Sequence, residues 1–223
     1  MSVDFRIHDD ADGAVAEVAD LLAARDGDVV LTGGSTPRRA YELAAERRAD
    51  WSDVSFWWGD ERCVGPDDER SNYGLAHAAL LARADRLGAV QRIRGELGPA
   101  RAAALYDEEI RGVRPDVVLL GIGPDGHTAS LFPRSPALDD EERAAVPAEA
   151  ALEPFVPRVT LTPWKLAEAP LVVFLATGPD KAEAVARAFS GRPSADTPAS
   201  LVRSRNGKTL AVLDRAAASS LPD

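Results

Sequence analysis

Residues 29–37 read Val-Val-Leu-Thr-Gly-Gly-Ser-Thr-Pro. An aliphatic run ends on paired glycines, and Pro37 follows where a first helical turn tolerates a missing N–H. This predicts a buried strand that turns sharply into a helix, the junction from which α/β folds are assembled. Helical spacing does follow, with Ala40, Leu43, Ala44 and Arg47 recurring three or four residues apart.

Outward from this junction the unit recurs. Residues 54–58 (Val-Ser-Phe-Trp-Trp), 117–121, 171–177 and 209–213 read as further strands. They lack strict alternation, which implies burial on both faces, as in a parallel sheet covered by helices. Val15, Val18 and Leu22 share a helical face, and 72–83, 100–111 and 180–189 are further helix candidates. The alternation predicts an α/β fold: one Rossmann-like domain over residues 1–223, with a doubly wound, mostly parallel sheet and helices on both faces. Residues 133–157 differ, holding five prolines and the acidic run Asp139 to Glu142. That composition predicts a surface excursion with one short helix and no strand, the acidic run being a solvated face.

The whole composition sets limits. At 223 residues and 45% hydrophobic the chain is long enough for one well-buried core. Its 36 acidic and 26 basic residues give a net charge of −10. That surplus argues against broad nucleic-acid or acidic-membrane binding, which needs phosphate-neutralising basic surface. The surplus does not exclude a small anionic ligand, because exposed charges are screened beyond about 8 Å and a few local cations suffice. The single cysteine, Cys63, precludes an intramolecular disulfide and a multi-cysteine metal site. Met1 to His8 carries acids where a signal peptide carries bases, and no apolar stretch approaches the roughly 20 residues that span a bilayer. A cytoplasmic protein is expected.

Four places combine reactive side chains with a strand end, where open α/β sheets gather ligands. The first is Gly33, Gly34, Ser35 and Thr36. Free N–H groups and the positive end of a helix dipole suit a phosphate there; the alternative is a plain strand–helix turn capped by Ser35 or Thr36. It is neither a Walker loop nor the spaced-glycine dinucleotide fingerprint. The second, Trp57 to Arg62, sets Asp60 and Glu61 beside Arg62, either as ligand-binding groups or as a surface ion pair. Ser71 and Asn72 cap the next helix or contact ligand, and Cys63 is a low-pKa thiol or a small packing residue.

The third spans residues 121–130, Gly-Ile-Gly-Pro-Asp-Gly-His-Thr-Ala-Ser. Asp125 and His127 flank a glycine and suit a general base with its orienting carboxylate. The alternative is a histidine that caps a helix starting near Thr128. His8, at the end of an edge strand, and His77, inside a helical pattern, read as structural. The fourth is basic: Arg158 opens a possible strand, and Lys181 stands at a helix start. A lysine there opposes the dipole unless an anion joins it, which makes Lys181 a candidate phosphate ligand.

These blocks resemble the 6-phosphogluconolactonase family, within the wider glucosamine-6-phosphate isomerase/6-phosphogluconolactonase superfamily. The resemblance rests on LTGGSTPRRAYELA (31–44), WWGDERCVGPDDERSNYGLA (57–76) and LLGIGPDGHTASLFP (119–133), with weaker blocks at 157–162 and 177–185. It covers nearly the whole chain. It implies hydrolysis of 6-phospho-D-glucono-1,5-lactone to 6-phosphogluconate in the oxidative pentose phosphate pathway. It also implies His127 as the base that activates water and Asp125 as its orienter. The phosphate would lie against Gly33, Gly34, Ser35 and Thr36, with Arg62, Arg158 or Lys181 supplying charge, and Asp60 would line the sugar pocket. No metal or organic cofactor is implied. The expected partner is the small sugar-phosphate lactone, with neither nucleic acid nor membrane, and a monomer or homodimer is expected.

Two alternatives define what the chain must not contain. Glucosamine-6-phosphate deaminases share the Asp-Gly-His turn but continue to a Phe-Asn-Glu-Pro-type ending whose glutamate assists ring opening. Here Ser130-Leu131-Phe132-Pro133 has no glutamate. Sugar-phosphate-sensing regulators carry a DNA-binding helix-turn-helix, whereas this chain reaches its first core strand by Val29 with no basic domain before it.

Overall fold

The apolar runs become adjacent parallel strands. The computed structural model describes residues 2–222; Met1 and Asp223, the ends of the expected domain, lie outside the described residues. The first half runs β1 (Val3–His8), α1 (Ala11–Ala23), β2 (Gly27–Leu31), α2 (Ser35–Arg47), β3 (Asp50–Trp51), β4 (Val54–Trp58), β5 (Asp60–Arg62), α3 (Asn72–Ala79), β6 (Arg86–Leu87) and α4 (Pro99–Ile110). The second runs β7 (Val117–Leu120), β8 (Ala145–Ala148), β9 (Arg158–Leu161), α5 (Pro163–Leu166), β10 (Leu171–Ala176), α6 (Ala182–Ser190) and β11 (Lys208–Asp214).

Six strands form one sheet in the order β1-β11-β10-β7-β2-β4, every pair parallel. All four residues of β7 and the last three of β2 are buried, as expected for strands covered on both sides. From β2 the chain winds to β4 on one side; from β7 it winds through β10 to β11 on the other. Right-handed crossovers therefore set α2 and α6 on opposite faces. The winding reverses between β2 and β7, so the loops after these two strands flank the crevice where such sheets bind ligands.

A smaller antiparallel ladder, β5-β9-β8, stands beside the main sheet. It corrects one expectation: residues 133–157 do contain a strand, β8. The physical reason is that β8 is an edge strand paired only with β9, so Pro147, exposed at its third position, withholds an N–H that has no partner to reach. Pro136–Leu138 supplies the one short helical turn expected in this segment. Most of the acidic run is exposed.

Candidate active site

The glycine turn after β2 is held by a tyrosine of the helix it leads into. The Thr32 N–H donates to Tyr41 Oη at 2.9 Å, and the Tyr41 hydroxyl donates to the Thr32 carbonyl at 2.7 Å. Burial pushes the Tyr41 hydroxyl's pKa up, so it stays protonated and serves as donor and acceptor together. The same device recurs at β4, where Tyr106 Oη accepts from the Trp58 N–H at 2.8 Å and donates to its carbonyl at 2.9 Å. Both strand ends are thereby terminated where the loops must diverge.

Gly34, at φ 109°, is the N-cap of α2, and no side chain caps the helix. This corrects the alternative in which Ser35 or Thr36 did so. Those two residues occupy the first turn, and the first helical hydrogen bond is Arg38 N–H to the Gly34 carbonyl. Their own N–H groups have no intrahelical acceptor. Thr36 Oγ1 instead meets Thr177 Oγ1 at 3.1 Å, joining this turn to the loop after β10. In that loop Gly178, at φ 96°, donates its N–H to both carboxylate oxygens of Asp214, at 3.1 and 3.0 Å. Lys181 follows as the N-cap of α6. Its Nζ lies 3.3 Å from the carboxylate of Asp180, a mostly exposed and therefore weak partner.

The loop after β7 is a tight turn, and no helix starts near Thr128, so the helix-capping alternative for His127 falls away. Thr128 Oγ1 donates to the Gly121 carbonyl at 2.8 Å, and the Gly123 N–H donates to the His127 carbonyl at 2.9 Å. Gly126 takes φ 91°. His127 Nδ1 lies 2.5 Å from Asp125 Oδ1, which also accepts the His127 N–H at 3.1 Å. With Nδ1 taken, Nε2 is the nitrogen left for chemistry. The ring lies over Gly123, where a Cβ would come within 2.1 Å of it. Phe132 packs on it with ring centroids 4.8 Å apart. Burial pushes the Asp125 carboxyl up, but the hydrogen bonds and charge of His127 outweigh it and hold the group below its ordinary value.

The antiparallel ladder brings the two arginines side by side. Asp60 faces Thr160, Glu61 faces Val159 and Arg62 faces Arg158. Neither arginine forms a salt bridge among the described residues, and the Nε of each is buried without a partner. Arg158 has its guanidinium 5.6 Å from the Phe132 ring centroid. Burial pulls the Arg158 pKa down, Asp60 nearby opposes this, and Arg62 adds to it.

Glu61 is not the ion-pair partner of Arg62. It is buried and accepts hydrogen bonds from the N–H groups of Arg62, Asn72 and Tyr73 and from the Ser71 hydroxyl. Burial pushes its carboxyl up against the pull of those donors. Ser71 caps α3 by accepting the Gly74 N–H at 3.0 Å. Asn72 donates to Asp60, at 2.9 Å to its carbonyl and 3.1 Å to its carboxylate. For Cys63 the packing alternative holds, since burial pushes its thiol up to about 11.

The four pieces close around one cleft of about 240 Å³. Gly34, Ser35 and Thr36 line one end beside the loop that carries Lys181, to which Thr36 is joined through Thr177, and Gly33 lines the cleft against Asn72. Asp60, Arg62, His127 and Arg158 line the rest, with Asp125 behind the imidazole. Asp60 is the one carboxylate among the described lining residues. His8 and His77 lie elsewhere, His8 against Glu17 and His77 against the Tyr73 ring. Sequence reasoning missed Phe132, Tyr41 and Tyr106. An aromatic residue in a glycine-rich turn was visible for the first; no local pattern marks the two tyrosines, whose partners are strand-end backbone groups.

The family described as glucosamine-6-phosphate isomerases/6-phosphogluconolactonase matches residues 6–211. The chain belongs to this family. A 6-phosphogluconolactonase of Haemophilus influenzae is 34% identical over 85% of this chain and 85% of its own length. One from Streptomyces coelicolor is 37% identical over 93% of this chain and 87% of its own. The crystal structure of 6-phosphogluconolactonase from Leishmania guyanensis superposes with a TM-score of 0.85 at 29% identity, covering all of both chains. The fold is thus shared with that structure. No helix among the described residues of this family member is long and apolar enough to cross a membrane.

Proposed function

We propose that the chain hydrolyses 6-phospho-D-glucono-1,5-lactone to 6-phosphogluconate. One observation carries this reading: a histidine whose Nδ1 is held by a carboxylate shares a cleft with helix-start amides and cations that lack strong partners. The phosphate fits the end formed by Gly34, Ser35, Thr36 and Lys181, where free N–H groups and the helix dipole favour an anion. The lactone then extends toward His127. Nε2 accepts a proton from water as the water oxygen adds to the C1 carbonyl, and Asp125 keeps the imidazole oriented. The oxyanion that develops at C1 faces Arg158 or Arg62, both short of acceptors. Collapse breaks the bond from C1 to the ring oxygen, which takes the proton back from the imidazolium.

One positioned acid–base residue accelerates such a step about 10²- to 10⁴-fold. Asp60, the carboxylate that lines the cleft, is already committed to Ser130 and Asn72, so the ring-opening acid a deaminase needs is not at hand. The acidic composition and single thiol suit a reducing cytoplasm, where we place the reaction, with residues 1–223 acting as one domain.

The test is a coupled assay on freshly generated lactone against its spontaneous hydrolysis. Acceleration is expected, together with no ammonia release from glucosamine 6-phosphate. Hydrolysis at the spontaneous rate, or ammonia release, would contradict the proposal.

A further inference from the structure

The turn that carries His127 makes one unusual connection. Ser130, fully buried and three residues beyond the histidine, donates its hydroxyl to Asp60 Oδ2 at 2.6 Å. Its N–H donates to Thr160 Oγ1 at 3.2 Å. Asp60 and Thr160 are directly opposite one another in the β5–β9 ladder. Ser130 therefore grips both members of a single rung.

The neighbouring rung on the same face is Arg62 with Arg158, since side chains two residues apart in a strand point the same way. Strand geometry sets the two rungs roughly 7 Å apart. Asp60 is itself anchored, its other oxygen accepting from Asn72 Nδ2. Between His127 and Ser130, Ala129 takes φ 49°, a left-handed backbone that a residue with a Cβ keeps only when its surroundings impose it.

We propose that Ser130 is a positioning residue for the hydrolysis. Its two hydrogen bonds clip the His127 turn to the ladder and so set the imidazole against Arg62 and Arg158. The phosphate end takes no part in the clip. Without it the turn relaxes at Ala129, and His127 leaves its place relative to the arginines while phosphate binding persists. This inference rests on the lactonase reading above.

Ser130→Ala tests it through kcat, KM and the calorimetric affinity for 6-phosphogluconate. The expected result is a kcat lowered about tenfold to a hundredfold, the cost of misplacing a catalytic group by about 1 Å. Product affinity stays at the wild-type value. Thr160→Val, which removes the other half of the clip, should lower kcat in the same sense and serves alone if Ser130→Ala does not fold. The double variant should lose less than the product of the two single losses, because both halves hold the same turn. Wild-type kcat in a folded variant, even one that melts lower, would overturn the proposal. So would product affinity falling in step with kcat. A wild-type protein that fails to accelerate lactone hydrolysis would instead sink the lactonase reading itself.

Discussion

The two ends of the cleft are made of different material. At one, backbone amides of the first turn of α2 and a single lysine await an anion. At the other, His127, Arg62 and Arg158 are all side chains, carried on three segments that meet through hydrogen bonds between residues far apart in sequence. Backbone donors keep their direction as long as the helix stands. Side chains keep theirs only while their supports do. The difference teaches that affinity and turnover should be separable by mutation, the first residing at the helix start and the second depending on contacts behind His127.

The largest effect that would break this division comes from the support of the base. Asp125→Asn should lower kcat by about 10²-fold through loss of imidazole orientation, with KM near the wild-type value. Because the Asp125 carboxyl is held below its ordinary value of about 3.9, it is ionised throughout the assay range. The wild-type rate profile above pH 5 should therefore carry no titration of this carboxyl. A carboxylate step from Asp125 in that range, lost in Asp125→Asn, would contradict this. The sign for stability follows as well. A carboxyl with a depressed folded-state pKa stabilises above its unfolded value and loses that contribution as pH falls through the folded one. The melting temperatures of wild type and Asp125→Asn should thus differ at pH 7 and draw together as pH falls below the ordinary carboxylate range.

Next comes the anion end. Lys181→Ala removes a charge-assisted hydrogen bond of about 1.5–3 kcal/mol. Binding of 6-phosphogluconate should weaken about tenfold to a hundredfold by calorimetry, with unphosphorylated gluconate unaffected and kcat at saturation retained. Equal weakening of both ligands would take Lys181 out of the phosphate role.

The smallest effect sharpens the comparison at the seam between the two ends. A Cβ on Gly33 would lie 1.9 Å from Asn72 Oδ1, and Asn72 is fixed by its bonds to Asp60. Gly33→Ala should destabilise by about 1–3 kcal/mol through overpacking. In a chain of this size each kcal/mol lowers Tm by about 2–4 °C. An unchanged Tm would show that Asn72 can give way.

Much of this was legible in the residues. The predicted strands at 54–58, 117–121 and 171–177 correspond to β4, β7 and β10 within one residue, because strands buried on both faces must be apolar throughout. The turns that bear Gly34 and His127 announced themselves through glycines, which their backbone geometry requires at positions 34 and 126. The ladder was harder to see. Arg158 suggested a strand, but β8 carries a proline, and β5 is three polar residues with no periodic pattern. What fixes the chemical end is a set of pairings between Glu61 and the start of α3, and between Ser130, Asp60 and Thr160. Such long-range hydrogen bonds leave no period in a sequence. The candidate residues could therefore be named from their types, but not the contacts that aim them.

The central claim is that His127 supplies turnover and not affinity. His127→Ala, assayed on fresh lactone with 6-phosphogluconate binding measured on the same preparation, tests it most directly. The account predicts kcat/KM lower by about 10²- to 10⁴-fold with product affinity retained. Full kcat/KM in that variant would contradict it.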